Sequence, residues 1–424
     1  MAERRRIPRT CTTEVTGSPS TTIPAFTSHS GTTASKGPSI VRRTAALSVA
    51  NPPRSHYRRE VISHSHGQPV AHFLALIPAH NEAATIDDTL TSLERQGLPP
   101  TWTVVVCDNC TDDTAEIAHR RGVRVFTTEG NTDKKAGALN QALAVLLPEL
   151  EPTDHLLVMD ADSVLAADFL ETSRDILARN PDVGAVGGVF HGHSGGGLIG
   201  ALQRNEYARY AREIHRKSGR ASVLTGTGSV FRVSVLRDVA AARGGELPGI
   251  PGRVYDTLAL TEDNEITLAI KTLGWRAVSP RRCRVTTEIM TTWGDLWKQR
   301  LRWQRGALEN LRNYGVNRVT LPYVAKQVVM YLGIVAIALL LVGTVLFITM
   351  GDYGPPRGFW LAVTAVFVVE RIVTVRRRGW RATLLAAPLV IEFLYDLFQQ
   401  AVFVRAAFDA VFTRSTEWHH ATDE

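Results

Sequence analysis

The sequence predicts an α/β domain with a mostly parallel β-sheet, followed by apolar helices. Two observations carry this prediction. From His72 onward, short apolar segments of strand length alternate with segments whose apolar residues recur at helical spacing, which is typical of parallel sheets covered by helices. After Thr320 the composition changes, and long stretches with few charged residues begin. We therefore expect a folded domain over residues 71–290, an amphipathic helix over 291–316 and a membrane region over 321–412.

The N-terminal tail, residues 1–70, differs in composition from the rest of the chain. It holds ten Lys or Arg against three Asp or Glu, and this excess equals the formal net charge of +7 for the whole chain. The remainder is therefore near neutral, which argues against a nucleic-acid-binding domain. The tail is rich in Ser, Thr, Pro and Arg and lacks the apolar segment of an export signal, so we expect disorder. Its Arg clusters either contact anionic lipid headgroups or belong to a solvated linker.

Predicted strands and helices alternate over the first part of the folded domain. Each predicted strand is a short apolar segment followed by polar or acidic residues. The strands are His72–Ile77, closed by Pro78, then Trp102–Cys107, Val123–Phe126 and Leu156–Met159. The helices follow Asn81 and Glu82, begin at the cap Thr111 after Asp108, and cover Lys135–Leu147. Because parallel strands end at one edge of a sheet, we expect these polar side chains to share that edge.

Asp160 and Asp162 follow the fourth of these strands, in the segment HLLVMDADSV. Two carboxylates one residue apart at the end of a buried strand suit a hard divalent cation and the phosphorylated ligand that it carries. Taken alone, the pair is also compatible with an acidic turn.

The stretch beyond the Asp pair contains a glycine-rich loop and a second acidic motif. Two further strands are predicted at Val183–Phe190 and Val223–Phe231, with a helix at Leu198–Ile214 between them. Gly226, Gly228 and Ser229 allow a backbone to approach a ligand, so their loop is a candidate wall of a binding site. Thr261, Glu262 and Asp263 precede a helical pattern, and they are either a helix cap with acids in its first turn or catalytic carboxylates.

Cysteine usage is sparse, with four in the chain, and Cys107 and Cys110 form one CxxC pair. No second Cys or His pair stands at zinc-ligand spacing from it, so we expect reduced thiols and a cytosolic setting.

Six motifs stand in a fixed order: IPAHNEA, CDNCTDDT, KKAGALNQAL, MDADS, TEDNE and QRLRW. Over about residues 72–310 the chain resembles the family 2 inverting glycosyltransferases with a GT-A fold. The resemblance is strongest to the membrane-integrated branch that includes cellulose, chitin, hyaluronan and poly-N-acetylglucosamine synthases.

The resemblance implies a role for each motif. The donor-binding residues would be Pro78, Asn81, Glu82, Asp108, Lys135 and Asp160, with Asp160 and Asp162 at the metal and Asp162 as the more direct ligand. Asp263 would be the general base, supported by Glu262, and Gln299, Arg302 and Trp303 would contact the acceptor and the diphosphate. One position departs from the pattern, because many members have an acid where this chain has Cys107.

The chemistry of sugar transfer requires the same residue types. Mg²⁺ or Mn²⁺ held by one or two carboxylates neutralises a leaving diphosphate, and a carboxylate with a raised pKa takes the acceptor proton. On the helix from Trp293 to about Arg312, Gln299, Arg302 and Trp303 lie on one arc, next to an apolar arc. Two alternatives are open for this helix. The apolar arc, which includes Leu296 and Trp297, lies on a membrane surface while the other arc faces the active site, or the helix packs on the domain and leaves an Arg exposed.

Three apolar segments are candidates for membrane helices, at residues 324–350, 359–375 and 383–404. Arg376, Arg377, Arg378 and Arg381 follow the second segment, so the positive-inside rule predicts a multi-pass protein of the cell membrane with a cytoplasmic catalytic domain. Glu392 and Asp396 in the third segment leave two alternatives open. They line a polysaccharide path, or the segment is an interfacial helix that does not span.

The predicted function is a membrane-anchored, metal-dependent inverting glycosyltransferase that uses a nucleotide sugar, UDP-linked by resemblance, to build a β-linked polysaccharide. A complete pore would require a homo-oligomer or a membrane partner, because about three helices are too few to form one. One alternative is a non-processive enzyme that glycosylates a lipid or a protein. Another is an inactive nucleotide-binding scaffold, against which the presence of Asp160, Asp162, Asp263 and Arg302 argues.

Overall fold

The computed structural model describes residues 71–350 and 358–412. The predictions made for the tail at residues 1–70 lie outside the described residues. In chain order the strands are β1 Phe73–Ala79, β2 Trp102–Cys107, β3 Arg124–Thr127, β4 His155–Val158, β5 Val164–Leu165, β6 Val183–Gly187, β7 Val189–Gly192, β8 Ser229–Arg232, β9 Arg276–Val278 and β10 Arg284–Thr287.

The helices alternate with these strands and then continue alone to the end of the described chain. They are α1 Ile86–Glu94, α2 Thr114–Arg120, α3 Lys134–Leu146, α4 Phe169–Arg179, α5 Gly197–Arg216, α6 Val233–Ala242, α7 Glu262–Thr272, α8 Trp293–Tyr314, α9 Leu321–Thr349, α10 Gly358–Val375, α11 Trp380–Ala386 and α12 Val390–Phe412.

The main sheet has the strand order β3-β2-β1-β4-β8-β6-β9, and a smaller sheet has the order β5-β10-β7. In the main sheet β1 pairs in parallel with β2 and β4, β2 with β3, and β6 with β9, whereas β8 runs antiparallel to β4 and β6. The predicted α/β class with a mostly parallel sheet is therefore confirmed.

The core lies on both faces of the main sheet. All seven residues of β1 are buried, and alternate residues point to opposite sides. Leu74 and Leu76 pack with apolar side chains of α3, α6 and α7, while Ala75 and Ile77 pack with those of α1 and α4. Burial on both faces explains why β1 is continuously apolar in the sequence instead of alternating.

Two predicted strand ends are wrong, each for a local reason. Pro78 does not close β1 but pairs with Val106 of β2 inside it. The proline is tolerated because β4 pairs with β1 only as far as Leu76, so the missing N–H removes no bond on that side. The predicted strand at residues 183–190 divides at Gly188, where an added Cβ would lie 2.4 Å from a methyl of Val285.

Two further local predictions are also wrong. The predicted strand at residues 223–231 shortens to Ser229–Arg232, because the preceding glycine-rich stretch is a loop. Thr111 does not cap α2, which begins at Thr114. The backbone N–H of Thr111 donates instead to Oδ1 of Asn81 at 2.8 Å.

The C-terminal helices differ from the predicted three segments. Within the part of the chain that the structure describes, α9 is the helix long and apolar enough to cross a membrane, and α11 with α12 would make a second if that pair is one span bent by 71°. The candidate segment at residues 383–404 is divided between α11 and α12 and is not one continuous helix. The chain breaks after Ala386, where Pro388 lacks an N–H and Leu389 has a φ of +61°. Multi-pass insertion stays a prediction.

Candidate active site

The loops after β1 and β2 are tied together at the carboxyl edge of the main sheet. Asn81 has a φ of +56°, a conformation that Asn adopts more readily than most residues, and it accepts hydrogen bonds from Thr111. The backbone N–H of Glu82 donates to Oγ1 of Thr114 at 2.8 Å. These contacts fix the half-buried Glu82 next to the start of α2.

Asp108 lies at the end of β2 with its carboxylate held rigidly. Its Oδ1 accepts hydrogen bonds from Oγ1 of Thr128 and Nδ2 of Asn131, both at 2.8 Å, and from Asn109 at 3.2 Å. Only 8% of Asp108 is exposed. A carboxylate fixed in this way at a sheet edge can accept hydrogen bonds from a polar ring such as a nucleobase.

The CxxC thiols border this carboxylate, and Cys107, Cys110 and Cys283 are all free thiols. Cys110 donates from its Sγ to the carbonyl of Ala79 at 3.3 Å. A hydrogen bond with Cys110, together with burial, raises the pKa of the Cys107 thiol. The position that is acidic in many family 2 enzymes is therefore an uncharged thiol here, and Asp108 supplies the charge alone.

Lys135 joins the Asp-x-Asp motif to the Thr-Glu-Asp motif. Its Nζ lies 2.5 Å from Oδ1 of Asp160 and 2.7 Å from Oε1 of Glu262. Burial disfavours the charge on Lys135, but the two carboxylates outweigh that effect and hold its pKa well above the usual value. The same contact keeps the pKa of Glu262 lowered against the effect of burial. Glu262 is therefore an anion committed to Lys135, which leaves Asp263 as the carboxylate available to act as a base.

Asp162 lies in a patch of negative charge. Burial raises the pKa of Asp162 to about 7, and Asp160, Glu82 and Glu288 add to the effect. A carboxylate crowded in this way is stabilised as an anion by a divalent cation, so the residues fit Mg²⁺ or Mn²⁺. Within residues 71–350 and 358–412, no three His, Cys, Asp or Glu side chains are placed to hold a metal on their own. A cation on the Asp pair would thus need phosphate oxygens or water to complete its shell.

Asp263 lies in the first turn of α7 and is half-buried. Its Oδ1 accepts the backbone N–H of Asn264 at 2.7 Å, and its Oδ2 accepts that of Gly226 at 3.3 Å. Burial raises the pKa of Asp263 to about 6, with Glu262 as the next contributor. A carboxylate with a pKa near neutrality is suited to taking a proton from a hydroxyl group.

The glycine-rich loop lies between the two acidic motifs. The carbonyl of Gly226 accepts the backbone N–H of Asp160 at 3.1 Å, while its own N–H binds Asp263. A Cβ at Gly226 would lie 2.9 Å from Nζ of Lys135 and 3.3 Å from Oδ2 of Asp160. The sequence predicted a close backbone approach to a ligand here, and the structure shows a close approach to the charged side chains themselves.

Helix α8, which contains QRLRW, packs directly on the start of α7. Nδ2 of Asn310 donates to Thr261 at 3.3 Å and to Oδ1 of Asn264 at 3.1 Å. A Cβ at Gly306 would lie only 2.5 Å from Oγ1 of Thr261. Thr261 therefore does not cap α7 with its side chain, as one of the two sequence interpretations had it, but serves as the contact surface for α8.

The three predicted residues of the QxxRW signature occupy different positions on α8. Oε1 of Gln299 accepts a hydrogen bond from Arg300 at 2.6 Å. Burial raises the pKa of Glu262, whereas Lys135 and, to a smaller extent, the positive charge of Arg302 lower it, so the Arg302 guanidinium is close to the acidic motif. Trp303 is 37% exposed, and its ring is free on part of its surface to stack on a sugar.

Sequence reasoning missed a group of aromatic and charged residues beside Trp303. Phe190 of β7 packs on Tyr207 and Tyr210 of α5, with ring centroids 4.7 and 5.1 Å away. Burial raises the pKa of Tyr210, and Asp263 is the next cause, so this aromatic group borders Asp263. The buried Arg300 was missed as well, although it stands inside the QRLRW motif.

The apolar arc of α8, which lies on a membrane surface in one of the two alternatives, is in part covered by protein. Leu296 is fully buried and packs with Leu202 and Tyr395. The Phe398 ring lies 5.0 Å from Trp293 and 5.7 Å from Trp297, centroid to centroid. Helix α12 therefore covers the N-terminal half of the apolar arc of α8.

The two acids of α12 pair with side chains of α5 and α10. Glu392 is completely buried, accepts a hydrogen bond from Asn205 at 2.8 Å and pairs with Arg209 at 2.8 Å and Arg371 at 3.2 Å. Asp396 pairs with Arg371 as well. Both carboxylates are thus used in ion pairs that join α12 to α5 and α10. The choice between a polysaccharide path and an interfacial helix that does not span stays a prediction.

The profile of the family described as "Glycosyltransferase like family 2" matches residues 69–306, more than half of the 424-residue chain. The chain belongs to this family. The match begins just before β1 and ends within α8, three residues after Trp303. Every site residue described above from Pro78 to Trp303 therefore lies inside the family 2 region, and α9 to α12 lie beyond it.

Among curated proteins, this family 2 chain is similar to a poly-beta-1,6-N-acetyl-D-glucosamine synthase from Staphylococcus epidermidis. The two are 26% identical over 262 residues, which is 60% of this chain and 59% of the relative. The synthase of the same name from Staphylococcus aureus is 26% identical over 242 residues, 56% of this chain and 54% of the relative. The chain thus spans little more than half the length of these relatives.

Solved structures with a similar chain course include a mannosyltransferase from Pyrobaculum calidifontis in complex with GDP-Man and Mn²⁺. It is 19% identical, with a TM-score of 0.48, and the alignment covers 81% of this chain and 88% of that one. A glucosyl-3-phosphoglycerate synthase from Mycobacterium tuberculosis, in complex with Mn²⁺, UDP and phosphoglyceric acid, is 17% identical with a TM-score of 0.39, over 58% of this chain and 80% of that one.

Proposed function

We propose that this protein is an inverting glycosyltransferase that moves a sugar from a UDP-linked donor to an acceptor hydroxyl at the cytoplasmic face of the cell membrane. The observation that supports this most strongly is Lys135, whose single ammonium group contacts both Asp160 of the donor motif and Glu262 of the base motif. Donor and acceptor functions are thereby brought into one pocket, as transfer between two bound substrates requires.

The donor half of the site consists of the loops after β1, β2 and β4. Asp108 accepts hydrogen bonds from the uracil and ribose part of the donor, and Pro78, Asn81 and Glu82 line the same pocket. A divalent cation, Mg²⁺ or Mn²⁺, held by Asp162 and Asp160 would neutralise the charge on the leaving diphosphate. Arg302 lies near Glu262 and adds positive charge on that side of the pocket.

The acceptor half performs the proton transfer. Asp263 takes the proton of the acceptor hydroxyl while that oxygen forms a bond to the anomeric carbon. The bond from this carbon to the diphosphate oxygen breaks on the opposite side, so an α-linked donor yields a β-linked product. Gln299 hydrogen-bonds the acceptor sugar, and Trp303 stacks on it.

For the product, we propose β-linked polymerisation of N-acetylglucosamine. The support is the name of the synthases from Staphylococcus that the chain resembles over its family 2 region. The alternative is a non-processive enzyme that adds one sugar to a lipid or protein acceptor. The C-terminal helices favour this alternative, because the described residues supply one span, or two if the bent pair counts. Product length separates the two.

Membrane anchoring is proposed on the surface of α9. Most of its 29 side chains are apolar and exposed, with a mean hydropathy of 2.7 in its most apolar window. The arginines at 376–378, after α10, are exposed and would lie on the cytoplasmic side by the positive-inside rule.

The test uses membranes from cells that express the full chain, incubated with UDP-GlcNAc and a panel of other nucleotide sugars. We expect nucleotide release from one donor, loss of release with EDTA, and recovery with Mg²⁺ or Mn²⁺. Asp263→Asn should lower kcat by about 10²–10⁴-fold, because a general base contributes roughly that factor. Binding of UDP to this variant should remain.

The matched control is Asp182→Asn, which removes a carboxylate from an exposed ion pair with Arg276 far from the motifs in the sheet. It should retain full turnover. Turnover that persists both in Asp263→Asn and in the presence of EDTA would refute the roles assigned to the base and the metal. A product with a single added sugar would rule out polymerisation.

A further inference from the structure

A polar network connects α5, α8 and α12 behind the QRLRW motif, and its members are buried except for the half-buried Glu206. Its centre is Oε2 of Glu206, which accepts hydrogen bonds from three side chains on two other helices. The donors are Nη2 of Arg300 at 3.1 Å, Oη of Tyr395 at 2.6 Å and Nε2 of Gln399 at 3.2 Å. Arg300 and Tyr395 are only 3% and 2% exposed.

Arg300 connects this network to the acceptor residues. Its Nη1 donates to Oε1 of Gln299 at 2.6 Å, and its guanidinium carbon lies 4.3 Å from the centroid of the Trp303 ring. The same guanidinium carbon lies 5.6 Å from the centroid of the Tyr207 ring. One buried cation therefore contacts two of the three side chains to which acceptor binding is assigned.

We propose that Arg300 is a positioning residue for the acceptor site, held in place by Glu206 and by Tyr395 of α12. The inference rests on the proposed glycosyltransferase function and deepens it. It assigns to α12, a helix outside the region that the family profile matches, the task of setting the orientation of Gln299 and Trp303.

The physical reason is the cost of burying a charge. A guanidinium with 3% exposure is stable at its position only when an anion and further hydrogen bonds compensate for lost hydration. Glu206 is that anion. Tyr395 and Gln399 saturate the same carboxylate oxygen and restrict where it can lie. If either support is removed, the guanidinium moves toward water and the stack with Trp303 loosens.

Helix α12 provides a matched comparison in two adjacent residues. Tyr395 donates to Glu206 of α5, the residue that also binds Arg300 of α8, whereas Asp396 pairs with Arg371 of α10. Tyr395→Phe and Asp396→Asn each remove one polar partner from the same turn of the same helix. A general loosening of α12 would affect both variants alike, and a specific role of the network would separate them.

The experiment measures steady-state transfer by the full chain in membranes, with UDP-GlcNAc as donor and a β-1,6-linked N-acetylglucosamine pentasaccharide as acceptor. We expect Tyr395→Phe to raise the KM for the pentasaccharide by about three- to tenfold, the effect of one hydrogen bond. Glu206→Gln should raise it further. The KM for UDP-GlcNAc should stay within about twofold, since one hydrogen bond on the acceptor side does not contact the donor. Asp396→Asn should leave both KM values unchanged.

The order of the Arg300 variants gives a second criterion. Arg300→Lys keeps a cation near Glu206 but loses the flat stack on Trp303, so its acceptor KM should fall between those of the wild type and Arg300→Gln. The proposal is overturned if Asp396→Asn raises the acceptor KM as much as Tyr395→Phe does. It is equally overturned if the donor and acceptor KM values rise together.

A readout independent of turnover separates this inference from the proposed function. Hydrogen exchange of the backbone amides at residues 299–304 should be faster in Tyr395→Phe than in the wild type, and unchanged in Asp396→Asn. If the wild type uses no nucleotide sugar but this exchange pattern appears, the proposed function fails and the positioning network stands. If transfer occurs and the exchange of residues 299–304 is the same in all three proteins, the network does not position the motif.

Discussion

The edge of the main sheet and the junction of α5, α7, α8 and α12 both contain many charged side chains. The two regions differ in how far these charges are paired. At the edge, charge is left partly uncompensated. Asp162 and Asp263 have pKa values raised to about 7 and about 6, and Asp162 lies among other carboxylates. At the junction each buried charge has an internal partner, as in the pair of Arg243 with Glu265.

The difference distinguishes residues suited to binding ligands from residues that hold the helices together. A site that is completed by a cation, a diphosphate and an acceptor must keep charge available, and it accepts raised pKa values as a consequence. A junction that must keep two motif-bearing helices in register gains from saturated pairs, because a buried charge without a partner is strongly destabilising. The contrast predicts that substitutions at the junction act on stability and on the positioning of the motifs, whereas those at the edge act on chemistry.

The largest expected effect of a junction substitution is that of Glu265→Gln. Glu265 receives both Nη groups of Arg243, at 2.5 and 2.7 Å, and the hydroxyl of Tyr314 at 2.5 Å. The substitution keeps the shape but leaves Arg243 as a buried cation without an anion, which costs about 3–5 kcal/mol of unfolding free energy. Thermal unfolding of the purified chain should show a strong loss of stability.

The control for Glu265→Gln is again Asp182→Asn, in an ion pair whose side chains are 54% and 55% exposed. Exposed pairs of this kind contribute little, so its melting temperature should equal that of the wild type. Equal melting temperatures for Glu265→Gln and the wild type would contradict the distinction between the junction of the helices and the edge of the sheet.

The second prediction tests how closely the two regions are joined. A Cβ at Gly306 meets Oγ1 of Thr261 at 2.5 Å, so Gly306→Ala forces α8 away from the first turn of α7. Overpacking of this kind costs about 1–3 kcal/mol. Because Thr261 precedes Asp263 by two residues, turnover should fall more than donor binding does.

Gly294→Ala is the matched control on the same helix. There the nearest atom to the added Cβ is Oγ1 of Thr292 at 3.8 Å, an ordinary contact. This variant should unfold and turn over like the wild type. If both glycine variants lose the same activity, the loss reflects α8 as a whole and not its contact with Thr261.

The two regions also differ in how far the sequence revealed them. The edge was predicted well, because strands buried on both faces are continuously apolar and the polar residue after each one marks the rim, as at Asp108 and Asp160. The loop at residues 223–228 was mistaken for a strand, since nothing local shows that Gly226 approaches Lys135. The junction was largely missed. Arg300 stands in a recognised motif, but its partner Glu206 is 94 residues away, and a contact at that separation leaves no periodic signal.

The smallest expected effect concerns pH, and it distinguishes Asp263, the proposed base, from the other carboxylates at the edge of the sheet. Asp263 must be ionised to accept a proton, and burial, followed by Glu262, raises its pKa to about 6. At saturating Mg²⁺ and UDP-GlcNAc, kcat/KM for the acceptor should be constant above this pH and fall about tenfold per pH unit below it. In Glu262→Gln the neighbouring negative charge is gone, so the acid limb should move to lower pH. A limb that stays in place in Glu262→Gln, or that persists in Asp263→Asn, would show that another group titrates and that Asp263 is not the base.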